Sequence, residues 1–228
     1  MDLKRGREPL VIAIDGPAAA GKGTIATRLA DHFGLPHLDT GLLYRAIGRI
    51  MADRGFDVDN EDLAAVIAEN LDPDDLRDPR LRGHEAGELA SRVAVHQKVR
   101  AALVRFQREF AGRDRGAVLD GRDIGTVICP DATVKIYVTA SAEVRARRRT
   151  DELLAKGRDV DYARILSEIR SRDARDSGRA TAPLKAADDA VRLDTSDLDR
   201  EAAFAEAVAI VERVAGNSTA ERTSFRST

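Results

Sequence analysis

The residues Gly16-Pro17-Ala18-Ala19-Ala20-Gly21-Lys22-Gly23-Thr24 form a glycine loop that ends in an amine and a hydroxyl, directly behind the apolar run Val11 to Ile14. A loop of the form G-x-x-x-x-G-K between a buried strand and a helix points successive backbone N–H groups into one concavity. The helix N-terminus adds a partial positive charge there, so the concavity suits an anion. Gly16 and Gly21 allow a phosphate chain to approach the backbone closely. Lys22 would then reach the β- and γ-phosphates as a mobile point charge. The bland alternative is a Gly/Ala-rich turn. Strand, spacing, lysine and the helical pattern from Ile25 onward all match the context the motif needs. All nine residues from Gly16 to Thr24 therefore read as an ATP-binding loop.

The residue after Lys22 is Gly23, where most such loops place a Ser or Thr that binds Mg²⁺. Thr24 comes one position later. The ending G-K-G-T resembles nucleoside monophosphate kinases rather than GTPases or motor ATPases. On that reading Mg²⁺ arrives with ATP, is held by phosphate oxygens and water, and takes no direct ligand from the protein.

Three further clusters carry chemistry. Leu38 to Arg45 reads L-D-T-G-x-x-Y-R, with Thr40 at a helix start and Tyr44 and Arg45 one turn on. The alternative there is an N-cap followed by a surface arginine. Asp120 to Val127, D-G-R-D-I-G-T-V, puts two carboxylates around a glycine and an arginine behind another buried strand; a salt-bridged turn is the alternative. Arg172 to Leu184, R-D-A-R-D-S-G-R-A-T-A-P-L, places Arg172, Asp176 and Arg179 on one helical face, where they could also simply pair among themselves. Upstream, Arg145, Arg147, Arg148 and Arg149 precede a break at Gly157, as in a lid that closes over a triphosphate.

The chain must build elements that hold these clusters. Short apolar strands are expected at Val11–Ile14, Leu35–Asp39, Ala117–Asp120, Thr133–Val138 and Ala190–Leu193. Helices are expected after the glycine loop, from Thr40 or Gly41 to Asp53, over Asn60–Asn70, Glu85–Ala111, Ser141–Lys156, Tyr162–Asp176 and Asp197–Ala215. Residues 72–84 read as an irregular connector. Alternating strands and helices imply an α/β fold, a parallel sheet of about five strands covered on both faces. The glycine loop, Asp39-Thr40-Gly41, Asp120-Gly121-Arg122-Asp123 and Asp194-Thr195-Ser196 all follow strands, so they should converge at the strands' carboxyl ends.

Composition bounds the rest. The 228 residues carry a net charge of −2, which excludes a generally basic nucleic-acid binder. No apolar run is long enough to span a membrane, and no leader pattern opens the chain. One cysteine, Cys129, excludes an intrachain disulfide and fits a reducing cytoplasm. Arginine outnumbers lysine 31 to 6, a bias that position rather than abundance must resolve. His32, His37, His84 and His96 are scattered without metal spacing and need no catalytic role.

In their order and spacing, G-P-x-A-A-G-K-G-T, L-D-T-G-x-x-Y-R, D-G-R-D-I-G-T-V-I-x-P-D-A and R-D-x-R-D-x-x-R-A-x-A-P-L resemble the bacterial cytidylate kinases, over roughly residues 10–215. The resemblance implies a P-loop core over 10–54 and 112–215. A short helical insertion at 55–111 would bind the nucleoside monophosphate, and a small lid with its flanking helices would lie at 150–180. Residues 1–9 and 216–228 would be disordered ends. It implies ATP-dependent phosphorylation of CMP and dCMP by a monomer in the cytoplasm. Lys22, Arg122 and Arg179 would act in catalysis, with Thr40 and Tyr44 in the acceptor site. Arg45 and Arg122 would hold the CMP phosphate, Arg172 and Asp176 the sugar, and Ser91, Arg100, Asp123 and Arg179 the base. Many relatives carry a longer insertion with a β-hairpin, whereas residues 71–91 here are short, charged and unsuited to one. Alternatives are a P-loop kinase for UMP, shikimate or gluconate, or a P-loop regulatory ATPase.

Overall fold

The computed structural model describes residues 9–225. Five parallel strands, β1 (Leu10–Asp15), β2 (His37–Asp39), β3 (Gly116–Gly121), β4 (Val134–Thr139) and β5 (Val191–Asp194), lie in the order β2-β3-β1-β4-β5. The expected strand count is met, with boundaries displaced by one or two residues. β1 and β3 are in register from Leu10↔Gly116 to Asp15↔Gly121, so the glycine loop and the D-G-R-D loop leave the sheet side by side.

Alternation along each strand divides the core between two faces. Ile12, Ile14, Val118 and Ile136 face helix α1 (Lys22–Phe33) and the C-terminal helix α8 (Arg200–Phe225), which contribute Leu29, Ala207 and Ile210. Ala13 and Leu119 face the other way, against Ala111 and a π-helical turn at Ile124–Ile128. Single π turns of this kind recur at functional sites.

A separate helical core stands at the side. Helices α2 (Thr40–Asp53), α3 (Glu61–Glu69), α4 (His84–Val93) and α5 (Gln97–Ala111) bury Ile47, Met51, Val93 and Leu103 together. Residues 72–83 form two 3-10 turns capped by Asp72 and Asp78, and no hairpin. Helices α6 (Ala142–Ala155) and α7 (Tyr162–Ser177) pair through Ala146, Leu153, Ile165 and Ile169.

Two expectations change. The single helix expected over Glu85–Ala111 is two helices that break at Ala94–His96. The α5 N-terminus is capped from outside, by the Glu61 carboxylate accepting from Lys98 N at 2.9 Å. The last helix runs past Ala215 to Phe225, which places residues 216–225 in helix instead of a disordered end. Gly216 costs a helix only about 1 kcal/mol, and no proline follows it. Residues 1–8 and 226–228, the rest of the expected disordered ends, lie outside the described residues.

Candidate active site

The glycine loop owes its shape to backbone contacts. A Cβ on Gly16 would fall 2.0 Å from the Val138 carbonyl oxygen, so only glycine lets β1 pass β4 there. Gly21, at φ 85°, turns the chain into α1, and Lys22 is the first helical residue, three positions earlier than the apolar pattern indicates. Arg145 donates to the Ala18 carbonyl (3.1 Å) and the Ala140 carbonyl (2.9 Å) and forms a bidentate pair with Asp173. Arg148 donates to the Thr195 and Leu198 carbonyls. These two arginines brace the loop and the β5 end; they do not hang free over a triphosphate as the sequence pattern suggests.

Opposite the loop lies a cleft of about 370 Å³, within the usual range for a small-ligand site. Every residue expected to bind the acceptor lines it: Thr40, Tyr44 and Arg45 from α2, Ser91 from α4, and Arg100 from α5. Arg122 and Asp123 follow β3, and Arg172, Asp176 and Arg179 lie on and just after α7. Of the glycine loop, Ala19 and Gly21 to Thr24 border the cleft, while Gly16, Pro17, Ala18 and Ala20 lie behind it.

Local bonds orient these groups. Asp39, not Thr40, is the N-cap of α2, accepting from Gly41 N at 2.9 Å; the Thr40 hydroxyl donates to the Asp120 carbonyl at 2.8 Å. Asp176 accepts from Arg122 Nε at 2.8 Å and from Arg179, with Arg172 Nε at 4.0 Å. The pairing of Arg172, Asp176 and Arg179 that α7 spacing allows is therefore realised, and Arg122 joins it. Asp123 pairs with Arg100, whose guanidinium also lies 5.9 Å from the Tyr44 ring centre. Arg175 Nε donates to the Ser91 hydroxyl at 3.3 Å. Arg45 donates to the Leu81 carbonyl at 3.2 Å.

The cleft is arranged for an anion. Burial and the nearby Arg122 push the Lys22 ammonium down to about 7. Burial and Arg122 also bring Arg172 down to about 10. The Nε atoms of Arg45, Arg172 and Arg179 are buried with no protein acceptor among the described residues. Burial opposes the charge on Asp176, yet Arg122 and Arg179 outweigh it and hold that carboxyl below its usual range. Asp123 goes the other way: burial lifts it despite Arg100 and Arg179. Burial keeps Tyr44 a neutral phenol, pushed up to about 12.

Sequence reasoning gave no role to three carboxylates at the strand ends, of which Asp39 and Asp120 line the cleft. Asp15 and Asp39 end β1 and β2 and Asp120 is the last but one residue of β3; that position was their signal, with Asp120 also in the D-G-R-D motif. Burial and Asp120 raise the Asp39 carboxyl, so two like charges sit together, and Lys22 feels both. His37, given no role from sequence, meets Asp120 at 2.8 Å.

A parallel five-stranded sheet with a lysine-bearing glycine loop facing an arginine-lined cleft defines a P-loop phosphotransferase. A solved gluconokinase from Sinorhizobium meliloti shares the fold, with a TM-score of 0.52, 15% identity and coverage of 94% of this chain and 98% of that one. The sequence model of the family "Cytidylate kinase" matches residues 12–213. A cytidylate kinase from Methylocella silvestris is 61% identical over 203 residues, 89% of this chain and 94% of its own. One from Brucella suis is 53% identical over 204 residues, 90% and 93%. The chain belongs to the cytidylate kinase family.

Proposed function

We propose that this enzyme transfers the γ-phosphoryl group of ATP to CMP and dCMP, giving ADP and CDP or dCDP. The observation that carries the reading is the joining of the Lys22 loop and the Arg100–Asp123 pair in one cleft. ATP lies along Gly16–Thr24. Residues 55–111 act as the acceptor-binding insertion and 150–180 as the lid with its flanking helices.

The nucleophile is a phosphate oxygen of the acceptor, already anionic near neutral pH, so no general base is needed. Catalysis is alignment and charge stabilisation. Lys22, Arg122 and Arg179 stabilise the transferring group. Arg45 and Arg122 hold the acceptor phosphate and Arg172 and Asp176 its sugar, with Thr40 and Tyr44 walling that side. Ser91, Arg100, Asp123 and Arg179 read the base. Cytosine offers an N4 amine that Asp123 and Ser91 accept, while O2 and N3 accept from arginine.

Mg²⁺ would arrive with ATP and offset the negative charge of its phosphates. Gly23 supplies no hydroxyl, but the crowded Asp39 and Asp120 carboxylates beside Lys22 suit the waters of a hydrated cation. The enzyme works as a monomer in the cytoplasm, without nucleic acid. No helix among the described residues is long and apolar enough to cross a membrane.

The test follows products by ³¹P NMR. With ATP, Mg²⁺ and CMP, ADP and CDP should appear in equal amounts; without an acceptor, ADP should not accumulate. Steady ATP hydrolysis that ignores CMP would instead favour a regulatory ATPase.

A further inference from the structure

Asp15 is the last residue of β1, and the mechanism above leaves it without a task. Its side chain is 5% exposed. It is not among the residues that line the cleft. Its two oxygens accept from two successive backbone N–H groups 109 and 110 positions away: Oδ1 from Ile124 N at 2.7 Å and Oδ2 from Gly125 N at 2.8 Å. Those amides open the π-helical turn whose N-cap is Asp123. Asp123 has no side-chain cap bond of its own to that turn. A carboxylate buried this deeply is costly unless both oxygens are used, and here both are.

We propose that Asp15 is a positioning residue that fixes the Arg122–Asp123 segment against the P-loop and thereby sets base selection. The inference rests on the reading of the cleft as a CMP kinase site.

The asymmetry of the supports gives the proposal its content. The P-loop is braced independently of Asp15: Gly16 packs on the Val138 carbonyl, Arg145 holds the Ala18 carbonyl, and the Thr195 hydroxyl donates to the Ala20 carbonyl at 3.4 Å. The far end of the turn after Asp123 is held by Arg108, which donates to the Val127 and Ile128 carbonyls at 3.0 Å, and Ile124 packs on Ala13. Among the described residues, however, the only hydrogen bonds from β1 to the turn's first amides are those to Asp15. Removing the Asp15 charge should therefore loosen the acceptor side and spare the ATP side.

The contact can be disturbed from either end. Asp15→Asn keeps the size but turns one acceptor into an N–H that faces a donor. Gly125→Ala keeps Asp15 but adds a Cβ 3.4 Å from its Oδ2 and 3.2 Å from Lys135 Cδ. The Lys135 stem cannot retreat freely, because its amine is held by both Asp189 oxygens at 2.9 and 2.7 Å. Wild-type kinetics with CMP and UMP come first and judge the functional reading before any variant is made; absence of a CMP preference removes the basis of the inference as well.

Both variants should then raise KM for CMP about tenfold and lower the CMP-over-UMP ratio of kcat/KM about tenfold, as loss of one well-formed hydrogen bond allows, with KM for ATP nearly unchanged. If Asp15→Asn does not fold, Gly125→Ala decides alone. Equal losses with CMP and UMP, a KM for ATP that rises as far as that for CMP, or wild-type selectivity in the folded variants would overturn the proposal.

Discussion

Asp123 pairs with Arg100, 23 residues back on α5, and not with its neighbour Arg122, whose guanidinium goes instead to Asp176. The side chains of Asp123 and Arg100 are 8% and 6% exposed, so removing either would leave the other's buried charge uncompensated. Together they present an acceptor beside a donor, the complement that the proposed reading of cytosine's N4 amine and N3/O2 edge needs.

Asp123→Asn should therefore lose activity with CMP, by ~10²-fold or more in kcat/KM, while UMP loses less. Uracil carries an acceptor where cytosine has its amine, and an asparagine N–H can meet it. Sites that hydrogen-bond a substrate's polar group discriminate by as much as ~10⁴-fold, so a partial loss is easily seen. Steady-state kinetics with both nucleotides check this. Equal losses for CMP and UMP would mean that Asp123 only compensates Arg100.

Asp176 gathers Arg122, Arg179 and Arg172 around one carboxylate. Asp176→Asn should raise KM for CMP at least tenfold and leave KM for ATP within about threefold, as the proposed contact to the acceptor's sugar requires. Breaking a buried pair also costs about 3 kcal/mol of stability, which thermal unfolding would register. If both nucleotides weaken equally, Asp176 serves the arginines and not the sugar.

Lys22 is half-buried rather than exposed, with its ammonium pushed down to about 7 by burial and Arg122. Its unfolded value is near ~10.4. Between those two values the unfolded chain binds more protons, so this residue's cost to stability is fully present below pH 7 and fades as pH rises toward 10. Lys22→Met should accordingly stabilise the ligand-free protein at pH 7 and below, by about 1–3 kcal/mol, and little at pH 10. The same variant should lose at least ~10²-fold in kcat.

Proton linkage reads the same residue from the ligand side. At pH 8 the free enzyme holds much of Lys22 neutral, and the phosphates of ATP favour its charged form. Calorimetry of ATP binding in buffers of different ionisation heat should show proton uptake at pH 8, absent in Lys22→Met. No uptake in the wild type would mean that Lys22 is already charged in the free enzyme or lies away from the phosphates.

The phosphate chemistry was legible because it is local. A strand, two glycines and Lys22 lie within a dozen residues, and the ends of β2 and β3 bring two further motifs beside them, with the fourth supplied by α7. What sequence could not give were contacts made at a distance. Arg145 and Arg148 look like Arg175 or Arg179 on paper, yet the Ala18 and Thr195 carbonyls occupy them. The break before α5 depends on Glu61, a cap supplied by another helix. Asp15 reads as the end of a strand until the amides of Ile124 and Gly125 are seen on it.

The central claim is tested most directly by kcat/KM for a full panel of nucleoside and deoxynucleoside monophosphates at fixed, saturating ATP and Mg²⁺. CMP and dCMP should stand at least ~10²-fold above UMP, AMP, GMP and dTMP, as a site that pairs Asp123 and Arg100 with a cytosine edge requires. UMP or a purine nucleotide turning over as well as CMP would contradict it.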